Sequence, residues 1–401
     1  MATAAIVCEY NPFHNGHLRQ IRLTRAALGP DAAVVCVMSG DFVQRGAPAV
    51  FDRAVRAKAA VECGASLVLE LPVTDCLRSA EGFGAGAVEI IDALGVVDAL
   101  SFGCECGDAQ ALWDLASALR SERFSALLRD ELSRGLPFAA ARERAVQTMT
   151  GRGELLRKPN NILAVEYCKA LQSLGSAVRP LALTRAGDYH GGDDPAEPSA
   201  TAVRAAVLRG DPIADFVPPE AAACFSGAAV HDIKFGERAM LARLRAMTDA
   251  EWEAVPFGSE GLWSKVMKNA RSAQSVGEII DRSLSRRYAR TRLQRLLICA
   301  YLGIDEKTLL SPAPYVRALA FDDLGRAVLR RAREAGRVKL INAGDAPPDA
   351  AYGEIERRAA DLYGLFSERA PECGAASGIR VYSKDGKTGN WQPVKYIARR
   401  T

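Results

Sequence analysis

A β-branched run, a turn that sets two histidines around a glycine, and a helix-forming stretch follow one another at the start of this chain, and that order admits few folds. The run is Ala2 to Cys8, the turn is His14-Asn15-Gly16-His17, and the helical stretch begins at Leu18. A strand that turns tightly into a helix brings imidazole donors, backbone N–H groups and the positive end of a helix dipole to one point. Such a point suits the phosphates of a nucleotide. Half of the four histidines of the chain lie here. The alternative is a solvated turn whose imidazoles merely cap the following helix, and the strand-turn-helix context favours the phosphate reading.

The same alternation continues for about a hundred residues. Apolar periodicity predicts strands at 4–8, 33–38, 67–71 and 99–102, with helices at 18–27, 53–63 and 80–94 between them. Crossovers of this length make βαβ units in a parallel sheet, where a ligand sits beyond the carboxyl ends of the strands. Each predicted strand runs into polar or turn-forming residues, so the loops from Glu9, Ser39, Pro72 and Gly103 converge on one rim. Two or three helices are expected over 110–146, with breaks near Ser121 and at Gly135-Leu136-Pro137. Asn160 and Asn161 precede another helical run, 162–174, either as an N-cap or as hydrogen-bonding groups for a purine or ribose. The expected fold class is α/β, with a Rossmann-like parallel sheet.

A fifth strand, 181–184, leads to Arg185 and a Gly/Asp/Pro-rich loop that contains His190, a lone loop histidine of the kind that is more often solvated than catalytic. Ser199, Thr201 and Arg204 then open a helix. Hydroxyls at an N-cap with an arginine one turn on make a second anion-binding terminus, or simply a capped helix with a surface arginine. Gly210-Asp211-Pro212 and Pro218-Pro219 mark a domain boundary. The expectation is a catalytic domain over 1–210 and a mainly helical domain over 220–401.

The second domain is rich in arginine. Arg282, Arg286, Arg287, Arg290, Arg292 and Arg295 surround Tyr288, with Asp281 the one acid beside them. Read as one helix, Arg286, Arg287, Arg290 and Arg295 form a broad basic stripe that would attract a phosphate backbone. The alternative is an ordinary solvated face. Further basic residues follow at 326–339 and in the tail from Lys384 to Arg400. The whole chain has a formal charge of only +4, so the local distribution carries this argument rather than the sum.

Composition excludes other classes. The 401 residues, 49% hydrophobic and 25% charged, are those of a globular protein. The N-terminus lacks the basic and apolar regions of a signal peptide, and no apolar run approaches a membrane span, so a cytoplasmic protein with reduced thiols and no membrane partner is expected. None of the ten cysteines forms a Cys-x-x-Cys pair. Cys104-Glu105-Cys106 reads as small residues at a strand end, and no metal ligand set is visible.

The strings Glu9-Tyr10-Asn11-Pro12-Phe13-His14-Asn15-Gly16-His17, Met38-Ser39-Gly40-Asp41-Phe42-Val43-Gln44-Arg45-Gly46, Leu69-Glu70-Leu71-Pro72, Phe102-Gly103-Cys104-Glu105, Pro159-Asn160-Asn161-Ile162-Leu163 and Ser199-Ala200-Thr201 occur in that order. In this order they resemble the motifs of the bacterial tRNA(Met) cytidine acetate ligases, within the His-x-Gly-His nucleotidyltransferase superfamily. The resemblance implies an enzyme that joins acetate to ATP, forming acetyl-adenylate and pyrophosphate, and passes the acetyl group to N4 of the wobble cytidine of elongator tRNA(Met). It implies ATP binding by Val7, Glu9, Tyr10, Asn11, Pro12, Phe13, His14, Asn15, Gly16, His17 and Gln20, with Gly103, one of Asn160 and Asn161, and Arg185. Catalytic roles would fall to His14, His17, Ser199 and Thr201, tRNA binding to Arg286, Arg287, Arg290 and Arg295, and Mg²⁺ would arrive on the triphosphate. Two positions depart from the pattern: Arg53-Ala54 stands where a lysine-tryptophan pair is expected, and Cys104 where serine is expected. Two rival functions are a cofactor-pathway adenylyltransferase and a non-catalytic RNA-binding protein with the same fold.

Overall fold

The computed structural model describes residues 1–184, 198–375, 382–385 and 389–393. Its centre is a sheet whose order, among the described residues, is β11-β10-β8-β5-β2-β1-β6-β7, with β9 also paired to β8. The strands are β1 (Thr3–Cys8), β2 (Ala33–Ser39), β5 (Leu67–Leu71), β6 (Ala99–Cys104), β7 (Arg179–Thr184), β8 (Val316–Phe321), β9 (Leu340–Asn342), β10 (Tyr382–Lys384) and β11 (Trp391–Pro393), while β3 (Phe42–Val43) and β4 (Ala47–Pro48) form a separate hairpin. β1, β2, β5, β6 and β7 are mutually parallel. The five strands expected from the sequence are therefore present, each within two residues of its predicted ends. β2 and β5 are buried along their whole length, as apolar runs covered on both faces must be.

Helices α1 (Asn15–Leu28), α2 (Arg53–Glu62), α3 (Val73–Cys76) and α4 (Ala80–Ala93) connect the first strands. α5 (Ala109–Leu119), α6 (Glu122–Ser133), α7 (Phe138–Thr150) and α8 (Pro159–Leu174) follow β6, and α9 (Ala200–Arg209) follows β7. Caps explain where several of these begin. Asp52, Ser79, Asp108, Ser121 and Ser199 each accept a first-turn backbone N–H, and so satisfy donors that have no partner inside the helix.

The chain after Gly210 departs from a purely helical second domain. α10 (Pro219–Phe225) still packs in the first core, where Phe225 stacks on Phe51 at 4.6 Å. α11 (Ile233–Ala246), α12 (Asp249–Glu253), α13 (Leu262–Ser272), α14 (Val276–Ser283), α15 (Arg290–Leu302) and α16 (Glu306–Leu310) then build a second core around Trp252, Leu293 and Leu296. After them β8 returns to the first sheet and pairs antiparallel with β5, with α17 (Asp323–Ala335) and α18 (Ala350–Gly364) following it. A six-residue apolar strand whose partner lies some 250 positions earlier leaves no local signal. That is why a mainly helical stretch to residue 401 was expected.

Candidate active site

The parallel part of the sheet has one switch point. From β1 the chain moves outward through β2 to β5, then crosses back to β6 and β7 on the other side of β1. Crevices in α/β sheets open at that point, beyond the strand carboxyl ends. A cleft of about 280 Å³ lies there, lined by Val7 to Asn11 from β1 and its loop, Phe102 and Gly103 from β6, and Leu183 and Thr184 from β7. Gly16, His17, Arg19 and Gln20 of α1, with Asn160, Leu163 and Tyr167 of α8, also line it, as do Arg45 and Arg204.

The two histidines have different places. His14 is the N-cap of α1 and is buried; its Nδ1 accepts the Gly16 N–H at 3.1 Å. His17 lines the cleft, and its Nδ1 accepts the His14 N–H at 3.2 Å. The rings stack 3.7 Å apart. Because each Nδ1 is an acceptor, a neutral ring at either position carries its proton on Nε2, the tautomer that can donate to an anion. Gly16 is required by space, since a Cβ there would stand 3.0 Å from His14 Cε1. One expectation needs correction. The first-turn N–H groups of α1 do not point at a ligand: Asn15 N–H donates to the Phe216 carbonyl at 3.0 Å, and those of Gly16 and His17 to His14. What this terminus can offer an anion is therefore the imidazoles and the helix dipole.

The loop before the histidines is held from below by Arg56. This side chain is fully buried, and it donates to the Glu9, Ser39, Gly40 and Phe51 carbonyls. It joins the ends of β1 and β2 through a cation with four carbonyl acceptors. Glu9 accepts the Gln44 N–H at 2.8 Å, and Asn11 accepts the Val50 N–H at 2.8 Å, so the β3–β4 hairpin is tied to the same loop. Tyr10 (φ 43°) and the cis Asn11–Pro12 peptide shape the turn, with Pro12 and Phe13 packed beneath it. Arg56 was missed in the sequence because an arginine one turn into a helix reads as solvent-exposed.

The remaining expected residues divide. Asn160 lines the cleft and donates to Glu105 at 2.8 Å, whereas Asn161 is buried in the wall, where its Oδ1 accepts the Glu105 and Cys106 N–H groups. Neither is the N-cap, a position held by Lys158. The Glu105 carboxylate accepts the first N–H groups of α8 instead, a negative charge at a positive helix end. Ser199 caps α9 by accepting the Ala202 N–H at 3.1 Å, and Thr201 accepts from Arg204 at 3.1 Å. Arg204 also donates to the Asn11 carbonyl at 2.8 Å, and so links α9 to the histidine loop; burial lowers its pKa. Arg185 and His190 lie outside the described residues. At the departing positions, Arg53 forms ion pairs with Asp41 at 3.2 Å and Glu70 at 2.9 Å, and burial pushes the Cys104 thiol up to about 12. Among the described residues no three His, Cys, Asp or Glu side chains converge as a metal site.

The arginine run is not one helix. Arg282 ends α14, Arg286 to Tyr288 form a bend, and α15 begins at Arg290. The Ser285 hydroxyl explains the interruption, because it accepts the N–H groups of Arg287 and Tyr288. Arg286, Arg287 and Arg290 are exposed, Arg287 paired with Glu260 and Arg290 with Asp281, each at 2.5 Å. Arg295 is corrected outright: it is buried, stacks on Phe257 at 5.0 Å, and burial lowers its pKa to about 10. It offers no surface to a nucleic acid.

A model of the HIGH nucleotidyl transferase family matches residues 1–375. The tRNA(Met) cytidine acetate ligase of Clostridium perfringens is 32% identical over 390 residues, covering 92% of this chain and 96% of that protein. The chain belongs to that ligase family. The tRNA(Met) cytidine acetate ligase of Syntrophotalea carbinolica is 36% identical over 365 residues, covering 85% of this chain and 84% of its own. The fold agrees with that of Thermotoga maritima TmcAL, with a TM-score of 0.87 at 27% identity over 96% of this chain and all of that one. A second form of the Thermotoga maritima protein, bound with alpha-thio ATP, matches with a TM-score of 0.85 at 28% identity over the same shares. The resemblance read from the motifs is thus borne out, as is the α/β nucleotidyltransferase fold. No described helix is long and apolar enough to cross a membrane.

Proposed function

We propose that this chain activates acetate with ATP and transfers the acetyl group to N4 of the wobble cytidine of elongator tRNA(Met). The observation that carries the reading is His17, stacked on the buried His14 and lining a cleft at the sheet's switch point, in a chain of the cytidine acetate ligase family. The cleft has a chemical gradient that suits a nucleoside triphosphate. Phe83, Phe102, Leu163, Tyr167 and Leu183 offer apolar surface for a purine, while His17, Arg19, Arg45 and Arg204 offer cationic or donor groups for phosphates.

In the first step an acetate oxygen attacks the α-phosphorus, and the bond to the β-phosphate breaks as pyrophosphate departs. Negative charge accumulates on the equatorial oxygens, where His17, oriented by His14, and the dipole of α1 stabilise it. No protein nucleophile is needed. Mg²⁺, where present, is carried by the triphosphate, since this chain contributes no cage of its own among the described residues. In the second step the cytidine amine attacks the mixed anhydride and AMP leaves. Arg286, Arg287 and Arg290 supply exposed cations for the tRNA backbone.

The test is direct. Protein, ATP, labelled acetate and bulk tRNA are incubated, and the tRNA is digested to nucleosides. Label in N4-acetylcytidine from elongator tRNA(Met) is the expected result. Label in no nucleoside, with a stable dinucleotide formed instead from a phosphorylated cofactor precursor, would establish the rival adenylyltransferase.

A further inference from the structure

A second chamber of about 590 Å³ adjoins the ATP cleft, and beyond the wall they share nothing in the adenylation step uses it. Glu9, Asn11, Arg45, Pro198, Ala200 and Arg204 line both cavities, so the two share a wall at the phosphate end of the cleft. The far side is built by other elements. Ala47 and Pro48 of the β3–β4 hairpin, Ile280 of α14, and Thr291, Gln294 and Leu297 of α15 enclose it, with Arg290 at the start of α15 also in its lining. Gly46 locks hairpin to helix. It adopts φ 77°, and a Cβ there would stand 2.5 Å from the Arg295 backbone nitrogen.

Resting on the function proposed above, we infer that this chamber receives the acyl acceptor as a single pyrimidine nucleotide drawn out of its stack. Three features point to that occupant. The chamber carries aliphatic side chains, among them Leu208, Ile233, Ile280 and Leu297, against which a flat base can lie beside polar groups, and is far too narrow for a duplex. Gln294, half-buried, presents a carboxamide that makes no hydrogen bond among the described residues, and a carboxamide matches the amino and ring-nitrogen edge of cytosine with one acceptor and one donor. Thr291, one turn earlier on the same helix, adds a hydroxyl, and the exposed Arg286 and Arg287 precede Arg290 in the chain, where the flanking phosphates would pass.

The shared wall sets the geometry of transfer. The base enters from the side opposite the adenine and brings N4 against the acetyl carbonyl carbon. The N–C bond forms, the C–O bond to the adenylate phosphate breaks with its electron pair on AMP, and the N4 proton leaves with that phosphate.

The test separates the partial reactions in the full-length protein. Thr291→Trp places an indole in the chamber, and Gln294→Leu removes the carboxamide while keeping its volume. Both are assayed for acetate-dependent ATP–pyrophosphate exchange without tRNA, and for acetyl transfer to tRNA under single turnover. The expected result is exchange that persists in both variants, with transfer slowed at least 100-fold by Thr291→Trp and at least 10-fold by Gln294→Leu. Transfer at the parent rate in both variants overturns the chamber's role, as does loss of exchange in step with transfer. Gln294→Leu carries the test alone if the tryptophan variant does not fold. Absence of exchange in the parent protein is a different outcome, and it overturns the proposed function itself.

Discussion

His14 and His17 stand three residues apart and have different tasks. His17 faces the cleft, whereas His14 is buried, caps α1 and fixes the ring of its neighbour through the stacked contact. His17→Ala is expected to slow acetate-dependent pyrophosphate release by about 100- to 1,000-fold with little change in melting temperature, as loss of one charge-stabilising donor typically does. His14→Ala should lose activity to a similar degree and in addition about 1 kcal/mol of stability from the lost cap. Pyrophosphate release and thermal melts on both variants distinguish these outcomes, and equal melting temperatures would contradict the division of tasks. Gly46→Ala addresses the contact between hairpin and α15. With a positive φ and backbone atoms of α15 in the way, it should cost more than about 1 kcal/mol, read as a lower denaturant midpoint.

Secondary elements carry their own consequences. The short helix α3 holds Asp75 in the core, where burial raises its pKa from 3.8 to about 6 despite the Arg78 partner at 3.3 Å. The folded state then holds this proton more tightly than the unfolded chain does. Its contribution to stability is complete below pH 3.8 and is lost as pH rises through 6. Asp75→Asn abolishes that loss, so the variant should gain on the parent by roughly 2 kcal/mol between pH 4 and pH 7 in urea titrations. A constant difference across that range would contradict the assignment. Between α14 and α15, replacing Arg286, Arg287 and Arg290 with Ala should weaken tRNA binding and flatten its salt dependence by roughly one log-log unit per lost phosphate contact. Binding titrations at several salt concentrations measure this. An unchanged slope would make the arginines an ordinary solvated face, two of the three already paired with Glu260 and Asp281.

At the scale of the whole molecule, the halves differ in how far sequence reveals them. β1, β2, β5, β6 and β7 and their helices were legible because period, cap and turn chemistry are local; His17 and Gly103 lie where such strands end, whereas Asn160 was marked by the start of a helix and by the family resemblance. β8 was not, because its partner β5 lies some 250 positions earlier. Arg56 was missed and Arg295 misread for a related reason: burial of a guanidinium depends on carbonyls or rings brought from other elements, here Glu9, Ser39 and Phe257. The same long-range return sets α18 against the helical core, where Ala359 and Tyr363 are buried, while the two cavities share a wall built from earlier residues. The central claim is that the first of these cavities makes an acetyl-adenylate. Acetate-dependent ATP–pyrophosphate exchange in the absence of tRNA tests it most directly. The expected result is exchange that requires acetate and is slowed about 100- to 1,000-fold in His17→Ala; exchange that proceeds equally without acetate, or no exchange from the folded parent protein, would contradict it.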